Sequence, residues 1–330
     1  MKAVVITENK DLVWTDVPDP QLSDGEVLIE VHAAGVNRAD LMQRAGQYPP
    51  PPGCPEWPGL EVSGVIKELS PLAKAESDWR EGDRVCTLLA GGGYAQYAAV
   101  HHSLLMPIPK GLSMVDAAAL PEAFATAYLN LFMEGEAQAG DVLLMHAGTS
   151  GLASVIIPLA KAFGLRVITS VRSAKRVRAI AHLPADVIID TSCESVPERL
   201  RIEQEKGYPV NVAIDCLGGE MMGECLPYVA HGCRWIMIAA MAGDMTAVNL
   251  RTVYLKNIRI IGSTLRNKPL PVKAQILAKL TKEIWPKVES GAVRPTIYRT
   301  LPIAEAQAAH ALLDSGQHVG KVVLIVKGDQ

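Results

Sequence analysis

The sequence predicts an α/β protein, with a doubly wound parallel sheet in the middle of the chain and a β-rich region made of the first third and the tail. Three observations predict this fold. Short β-branched or alternating runs, separated by Gly, Pro and Asp, fill the first third. From Asp141 onward, apolar strands alternate with longer helical stretches. The tail then ends on another β-branched run.

Size and composition limit the classes of protein that fit. The chain has 330 residues, of which 49% are hydrophobic and 20% charged, enough for one large or two ordinary domains. A net charge of −3 and a pI of about 6.3 favour neither nucleic acid nor a membrane as partner. No apolar run approaches the roughly 20 residues of a membrane span. The six scattered cysteines form no C-x-x-C pair, and the N-terminus reads as a short strand without a signal-peptide core. We therefore expect a cytoplasmic protein with free thiols.

The front of the chain predicts four further strands and one stiff loop. The strands are "EVLIEVHAAGVN", "EVSGVIKEL", "DRVCTLL" and "YAQYAAV". Six prolines between Ala45 and Gly59 exclude a helix there. "SMVD", which begins at Ser113, is typical of a helix start with a capping box.

The middle predicts six parallel strands with crossover helices. The strands are "DVLLMHA", "RVITSV", "ADVIIDT", "NVAIDCLG", "CRWIMIAA" and "IRIIGSTL". The helices are "GLASVIIPLAKAFG", which Pro158 should kink, "SAKRVRAIAHL", "PERLRIEQEKG", "EMMGECLPYVAHG" and "NLRTVYLKN".

The tail predicts a helix from Pro271 to Gly291, another from Ala304 to Gly316, and the strand "KVVLIV". We expect it to rejoin the β-rich front. This gives one domain of residues 1–120 with 266–330, and a dinucleotide-binding domain of residues 121–265.

A candidate cofactor site follows the first middle strand, where "GTSGLAS" leads into a helix. Against G-x-G-x-x-G/A the turn presents Gly148, Ser150 and Ala153. The pyrophosphate of a dinucleotide needs backbone N–H groups at a helix N-terminus, and Ser150, Gly151 and Leu152 can supply them. An ordinary Gly/Ser turn is the alternative interpretation.

The second strand indicates which dinucleotide. NAD enzymes place an acidic residue about 20 positions after the first Gly, on the ribose hydroxyls. Thr169 and Ser170 occupy that region, and no acidic residue occurs from Val142 to Ala185. The 2′-phosphate of NADPH is not tolerated beside a carboxylate, so the absence of acidic residues makes NADPH the expected cofactor. Ser170 is a candidate contact of the cofactor in this region.

Four basic residues follow at once. Arg172 and Lys175, nearest the strand end, are the candidate partners of the 2′-phosphate. For Arg176 and Arg178 we favour a solvated helix face, which is also the alternative for the first two.

Small residues after the later strands allow a dinucleotide to approach closely. "DCLGG" contributes Cys216 and Gly218, and "AAMAG" contributes Ala239 and Met241. Ordinary turn residues are the alternative interpretation. His146, at the end of the first middle strand, is expected to have a core role rather than a catalytic one.

The string "NRADLMQRAGQYPPPPG", with "GLEVSG", "HAGTSG", "DCLGG" and "GKVVL", resembles the zeta-crystallin-like quinone oxidoreductases of the medium-chain dehydrogenase/reductase superfamily. Within them it is most similar to the tumour-suppressor-inducible subgroup. The resemblance spans essentially the whole chain. It implies a Rossmann domain, a GroES-like domain and a homodimer, in which "IRIIGSTL" pairs across subunits.

The resemblance also implies that no metal is bound. Zinc-dependent relatives have ligands at the places of Asn37 and Leu60 and in the neighbourhood Glu122–Thr126. A leucine cannot ligate zinc, and an amide is a poor substitute for a thiolate. Glu61, which follows Leu60, is expected to pair with a buried arginine or with the backbone.

Without zinc, hydride transfer requires an acceptor that is already electron-poor. Tyr48 is the candidate that hydrogen-bonds or protonates its carbonyl, and Asn37 the candidate that holds the carbonyl or the nicotinamide ribose. Packing on proline and turn capping are their alternatives. The resemblance adds Thr126, Leu265 and Lys321 as cofactor contacts.

The sequence thus predicts a zinc-independent, NADPH-dependent reductase of quinones or other α,β-unsaturated carbonyls. One alternative is an enone or enal double-bond reductase. Another is a non-catalytic NADPH-binding protein that acts as a sensor or binds RNA, as some zeta-crystallins do.

Overall fold

The computed structural model describes residues 1–327. Its strands, numbered in chain order, are β1 Lys2–Ile6, β2 Leu12–Asp16, β3 Glu26–Val36, β4 Glu61–Leu69, β5 Arg84–Leu88, β6 Tyr97–His101, β7 Leu105–Pro107, β8 Val142–Met145, β9 Arg166–Val171, β10 Val187–Asp190, β11 Val210–Asp215, β12 Val229–Met237, β13 Arg259–Gly262, β14 Ile297–Pro302 and β15 Lys321–Ile325. Its α-helices are α1 Arg38–Ala45, α2 Pro71–Glu76, α3 Met114–Ala117, α4 Pro121–Tyr128, α5 Ala153–Ala162, α6 Ala174–Ala179, α7 Val196–Glu205, α8 Glu220–Cys225, α9 Leu250–Leu255, α10 Leu270–Lys279, α11 Trp285–Glu289 and α12 Ala306–Asp314.

The chain divides into two compact units. Unit 1 contains Met1–Ala125 and the chain from Arg266 onward, and unit 2 contains Thr126–Leu265. None of the helices in the described part of the chain is long and apolar enough to cross a membrane.

Unit 2 is built on one parallel sheet of six strands in the order β10-β9-β8-β11-β12-β13. All six predicted middle strands are confirmed, and each pairs in parallel with its neighbours. Their alternating apolar residues fill the core, in which Trp235, Leu144 and Ile189 are fully buried. The strand order reverses between β8 and β11, because β9 and β10 follow on one side of β8 and β11, β12 and β13 on the other. In sheets of this kind ligands bind beyond the carboxyl ends of the strands at that point.

Unit 1 contains a mainly antiparallel sheet in the order β14-β15-β3-β4-β5-β7, with β6 also paired to β3. The expected return of the tail is confirmed, since β15 pairs antiparallel with β3, with Val322 opposite Val36. The last strand therefore lies inside the front sheet, between β14 and β3. The capping box at Ser113 is also confirmed: the Ser113 hydroxyl accepts from the Asp116 N–H (3.1 Å), and the Asp116 carboxylate accepts from the Ser113 N–H (3.2 Å).

One helical prediction was wrong in detail, and one helix was not predicted. The helix expected from Pro271 to Gly291 is interrupted, because a π-helical segment at Leu280–Ile284 separates α10 from α11. Pro286, near the start of α11, has no N–H to continue the α-helical hydrogen bonds. Helix α1, directly before the proline-rich loop, was not predicted. Pro158 lies within α5, which is helical on both sides of it.

Candidate cofactor and acceptor sites

The predicted cofactor turn of unit 2 lies between β8 and α5. The Gly148 N–H donates to the Ser170 carbonyl at 2.9 Å, which holds the turn against β9. A Cβ on Gly148 would lie 2.6 Å from Thr169 Oγ1, so this close approach requires glycine. The Ser150 hydroxyl accepts from the Ala153 N–H at 3.1 Å, where α5 begins.

Two backbone donors at this turn suit a phosphate. Gly151 and Leu152 precede α5, and within the described chain their N–H groups meet no acceptor. Such orphan donors at a helix N-terminus attract anions. The turn therefore fits the pyrophosphate of a dinucleotide.

The basic residues after β9 do not all behave as the sequence indicates. Arg172 and Lys175 are exposed. Arg176 is half-buried, and its Nη1 donates to Thr149 Oγ1 at 3.0 Å, so its guanidinium lies on the turn. Burial and the nearby charge of Arg172 lower the pKa of Arg176. Arg176 is therefore less solvated than a helix-face interpretation predicts, whereas Arg178 is exposed.

His146 lies inside unit 2, beneath the turn, as the core role predicts. It is fully buried, and its Nδ1 lies 2.9 Å from the Ser170 hydroxyl. Burial lowers the pKa of His146, so the ring is neutral. Ser170 is itself only 2% exposed, which places its hydroxyl under the strand end rather than on the surface.

The loops after β11 and β12 are joined at the same edge of the sheet. Gly218 forms a parallel bridge with Gly243, and the Met241 N–H donates to the Cys216 carbonyl at 3.1 Å. Gly218 has a φ of +62°, a conformation that favours glycine. Asp215 Oδ1 accepts from the Gly218 N–H at 3.0 Å and thereby fixes the first loop.

The side chains of these two loops differ in their exposure to solvent. Met241 is 56% exposed, and Ala239 and Cys216 are half-buried. Burial and the charge of Asp215 raise the pKa of Cys216 to about 12, so it remains a thiol.

Thr126 and Leu265 lie at the two ends of unit 2 along the chain. Thr126 is half-buried in α4, and Leu265 is 6% exposed. Their contacts with a cofactor remain predictions.

Unit 1 holds a buried group of polar side chains around Glu61, at the start of β4. Lys321, the first residue of β15, donates to Glu61 Oε1 and to Asn37 Oδ1, each at 2.5 Å. The Asn37 amide also donates to Glu61 Oε1 at 3.0 Å. Glu61 is fully buried and Lys321 is 3% exposed. We expected Glu61 to pair with a buried arginine or with the backbone. The cation that pairs with it is a lysine, not an arginine.

The second oxygen of Glu61 does bind the backbone. Glu61 Oε2 accepts from the Glu122 N–H at 2.9 Å, in the first turn of α4. The carboxyl of Glu122 is half-buried and accepts no hydrogen bond from the described residues. Burial and the neighbouring charge of Glu61 raise the pKa of Glu122 to about 8.

Asp40 is a fully buried carboxylate that ties α1 to the strands of unit 1. It accepts from the N–H groups of Asn37 (2.8 Å) and Gly59 (2.9 Å) and from the Tyr94 hydroxyl (3.1 Å). Burial raises its pKa to about 6. The N-x-x-D spacing of a capping box was the sequence signal that could have found it.

Tyr48, in the proline-rich loop, is held by Arg266. The guanidinium lies 5.0 Å from the ring centroid, and its Nη1 donates to the Tyr48 carbonyl at 3.0 Å. Arg266 also donates to Gln43 Oε1 (2.7 Å) and to the Ala90 carbonyl (2.7 Å). Tyr48 is half-buried, and burial raises the pKa of its hydroxyl, which therefore stays protonated. No pattern in the sequence indicated Arg266.

The places where zinc-dependent relatives have ligands offer no suitable donor set. Leu60 is buried, and Asn37 is engaged with Glu61 and Lys321. Among residues 1–327, no three His, Cys, Asp or Glu side chains are grouped so that they could hold a metal ion. All six cysteines are free thiols.

Comparison with known proteins agrees with this architecture. Residues 23–110 match the alcohol dehydrogenase GroES-like domain, and residues 183–324 match the zinc-binding dehydrogenase family. Mouse quinone oxidoreductase is 28% identical over 317 residues, which cover 94% of this chain and 92% of the mouse protein. A highly reducing polyketide synthase of Cordyceps militaris is 28% identical over 318 residues, which are 96% of this chain but 12% of the synthase.

Solved structures give the same result. The quinone oxidoreductase of Thermus thermophilus, determined alone and in complex with NADPH, is 30% identical with a TM-score of 0.82, and the match covers 99% of this chain and 100% of the other. A mycobacterial protein determined with NADPH is 27% identical over 99% of this chain and 100% of its own, with a TM-score of 0.86. The chain therefore belongs to the zeta-crystallin-like quinone oxidoreductases of the medium-chain dehydrogenase/reductase superfamily.

Proposed function

We propose that the chain is an NADPH-dependent, zinc-independent reductase that transfers a hydride to quinones or related conjugated carbonyls. The observation that carries the proposal is the buried group of Lys321, Glu61 and Asn37. An ammonium, an amide and a leucine stand at or beside positions where zinc-dependent relatives have ligands. Those relatives use zinc to stabilise an alkoxide, and these three residues supply no comparable Lewis acid. The reduction of an electron-poor acceptor does not require one.

The residues of unit 2 fit NADPH. The N–H groups of Gly151 and Leu152 would hold the pyrophosphate, and Arg172, Lys175 and Arg176 would surround the 2′-phosphate. When bound, NADPH supplies the hydride. Ser170, the loops at Gly218 and Met241, and Thr126 and Leu265 are proposed to shape the rest of its site.

Two residues of unit 1 are proposed to hold the acceptor or the nicotinamide ribose. Tyr48, whose ring lies against Arg266 and whose hydroxyl stays protonated, can donate to a carbonyl oxygen. Asn37 retains one lone pair on Oδ1, which suits a ribose hydroxyl. Lys321 is proposed to affect the cofactor indirectly, through its hydrogen bond to Asn37. Its own ammonium is buried inside unit 1.

The direct test is NADPH oxidation with a quinone, an alkenal and, in reverse with NADP⁺, a simple alcohol. We expect turnover with the quinone, no alcohol oxidation, no stoichiometric zinc by elemental analysis, and full activity after chelation. Faster turnover of the alkenal would identify a double-bond reductase instead. Tight NADPH binding without turnover of either acceptor would contradict the proposal.

Replacing Arg172 and Lys175 together with alanine should weaken NADPH binding about 100-fold, because two charge-assisted contacts to the 2′-phosphate are lost. Affinity for NADH should change little, and fluorescence titration measures both. Arg178→Ala, an exposed residue of the same helix, is the matched control. Equal losses for the two cofactors would refute the assignment.

We also propose a homodimer that forms through the edge of the unit 2 sheet. In the described chain β13 pairs only with β12, and Ile260, Tyr254 and Leu255 nearby are exposed. An open strand edge with apolar neighbours is suited to pairing with a second copy. Sedimentation should show a dimer that Ile260→Lys dissociates, and a monomeric wild type would exclude it.

A further inference from the structure

Arg266, at which the chain re-enters unit 1, is a buried cation without a carboxylate partner. The residue is 4% exposed. Among residues 1–327, every hydrogen bond of its guanidinium goes to a neutral oxygen, and no carboxylate pairs with it. An arginine stays protonated in proteins, and burying a charge is costly unless it is hydrogen-bonded or paired. Unit 1 therefore keeps a positive charge in its interior that no anion offsets by direct contact.

Four neutral acceptors hold the Arg266 guanidinium in place. Nε donates to the Ala90 carbonyl (2.7 Å), and Nη2 donates to Gln43 Oε1 (2.7 Å). Nη1 donates to the carbonyls of Tyr48 (3.0 Å) and Pro49 (3.4 Å). The guanidinium is a planar fork of donors, so these contacts fix its plane as well as its position.

The proline-rich loop depends on donors of this kind. The four consecutive prolines at positions 49–52 have no N–H groups, so the backbone there can be hydrogen-bonded only through its carbonyls. Arg266 binds carbonyls at the start of this run, and the Gln43 amide donates to the Glu56 carbonyl beyond it at 2.7 Å. Because Gln43 is itself bonded to Arg266, the two side chains attach both ends of the segment 48–56.

The same cation lies against the side chain of Tyr48. The Arg266 Cζ is 5.0 Å from the centroid of the tyrosine ring, within the range of a cation–π contact. A positive charge beside a phenol favours negative charge on its oxygen, and the hydroxyl becomes a stronger hydrogen-bond donor as a result. Arg266 is therefore placed to fix Tyr48 and to strengthen the hydrogen bond that Tyr48 donates.

We propose that Arg266 is the positioning residue of the acceptor site and acts through Tyr48. The inference rests on the proposed function, in which the Tyr48 hydroxyl donates to the acceptor oxygen. Negative charge develops on that oxygen as the acceptor receives the hydride, and a fixed donor with a cation behind it stabilises this charge more than it stabilises the neutral carbonyl. Arg266 itself exchanges no proton or electron.

The experiment compares Arg266→Met, which removes the charge and the donors, with Arg266→Lys, which keeps the charge but not the planar fork. We expect Arg266→Met to lower kcat for a quinone about 100-fold, the effect of misplacing a group at the reacting centre, while the Kd of NADPH changes less than about twofold. Arg266→Lys should recover part of the lost kcat. Arg84→Met, at an exposed position of β5, is the matched control and should leave kcat and Kd unchanged.

A double-mutant cycle separates positioning from a merely structural role. When Tyr48→Phe is already present, Arg266→Met should lower kcat less than about threefold, because the group through which Arg266 acts is gone. A structural role predicts the same fold-loss with and without Tyr48→Phe, and that result would overturn the proposal. If Arg266→Met does not fold, Arg266→Lys completes the same cycle.

A second readout needs no acceptor. The N–H groups of Gln47 and Tyr48 donate to the Met42 carbonyl (2.9 and 3.3 Å), and their hydrogen exchange reports how often this segment opens. By mass spectrometry, exchange in residues 47–56 should be about tenfold faster in both Arg266 variants, as expected for lost hydrogen bonds, and unchanged in β8.

Unchanged exchange around Tyr48 would overturn the positioning role even in an active enzyme. A wild type that reduces no acceptor, with faster exchange in the variants, would instead refute the proposed function and confirm only that Arg266 fixes the loop.

Discussion

Replacing Lys321 with methionine is expected to lower the free energy of unfolding by about 3–5 kcal/mol. The substitution leaves the Glu61 carboxylate fully buried, with only the Asn37 amide and the Glu122 N–H as donors. An uncompensated buried charge is far more destabilising than the loss of an exposed one. Denaturant unfolding measures the difference.

Two variants make this result specific. Lys327→Met removes an ion pair with Glu30 in which the lysine side chain is 47% exposed. This change should lower the free energy of unfolding by less than about 1 kcal/mol. Adding Glu61→Gln to Lys321→Met removes the stranded charge and should recover much of the loss. If Lys321→Met unfolds at the wild-type midpoint, the buried pair does not stabilise unit 1.

The second large effect is a dependence of stability on pH that Asp40 causes. Its pKa is about 6 in the folded chain, above the 3.8 of an unfolded aspartate. Stability from this group is therefore complete only below the unfolded pKa of 3.8 and is lost as pH rises through 6. Two pKa units correspond to about 3 kcal/mol. The unfolded aspartate is already partly ionised at pH 4, so less than the full effect falls between pH 4 and pH 7. Measured against Asp40→Asn, whose side chain does not titrate, the wild type should lose about 2 kcal/mol of stability between pH 4 and pH 7.

Unfolding of both proteins at the two pH values measures this change, and other titrating groups cancel in the comparison. Asp78→Asn, at an exposed position of unit 1, should show no such change. A wild-type advantage that grows with pH would mean that the three donors around Asp40 outweigh its burial.

The sequence predicts the sheet of unit 2 well for a physical reason. Apart from the exposed edge strand β13, its strands are largely buried on both faces and therefore appear as short apolar runs bounded by turns, a signal carried by neighbouring residues. The turn at Gly148 is predicted for the same reason, because strand, turn and helix are consecutive.

The candidate site of unit 1 was less predictable, because its contacts join distant parts of the chain. Lys321 and Glu61 are 260 positions apart, and Arg266 and Gln43 are 223 apart. Nothing near Arg266 indicates that its guanidinium will support Tyr48. Likewise, nothing near Arg176 in the sequence indicates that its guanidinium donates to Thr149, 27 positions earlier.

The position of β15 in the front sheet has a consequence for synthesis on the ribosome. Unit 2 is one continuous stretch and can fold as soon as it has emerged. The edge of β3 that receives β15 must wait for nearly the entire polypeptide. Until then that edge of β3 has no partner, even though unit 2 can already be folded, and an unpaired strand edge is prone to aggregation.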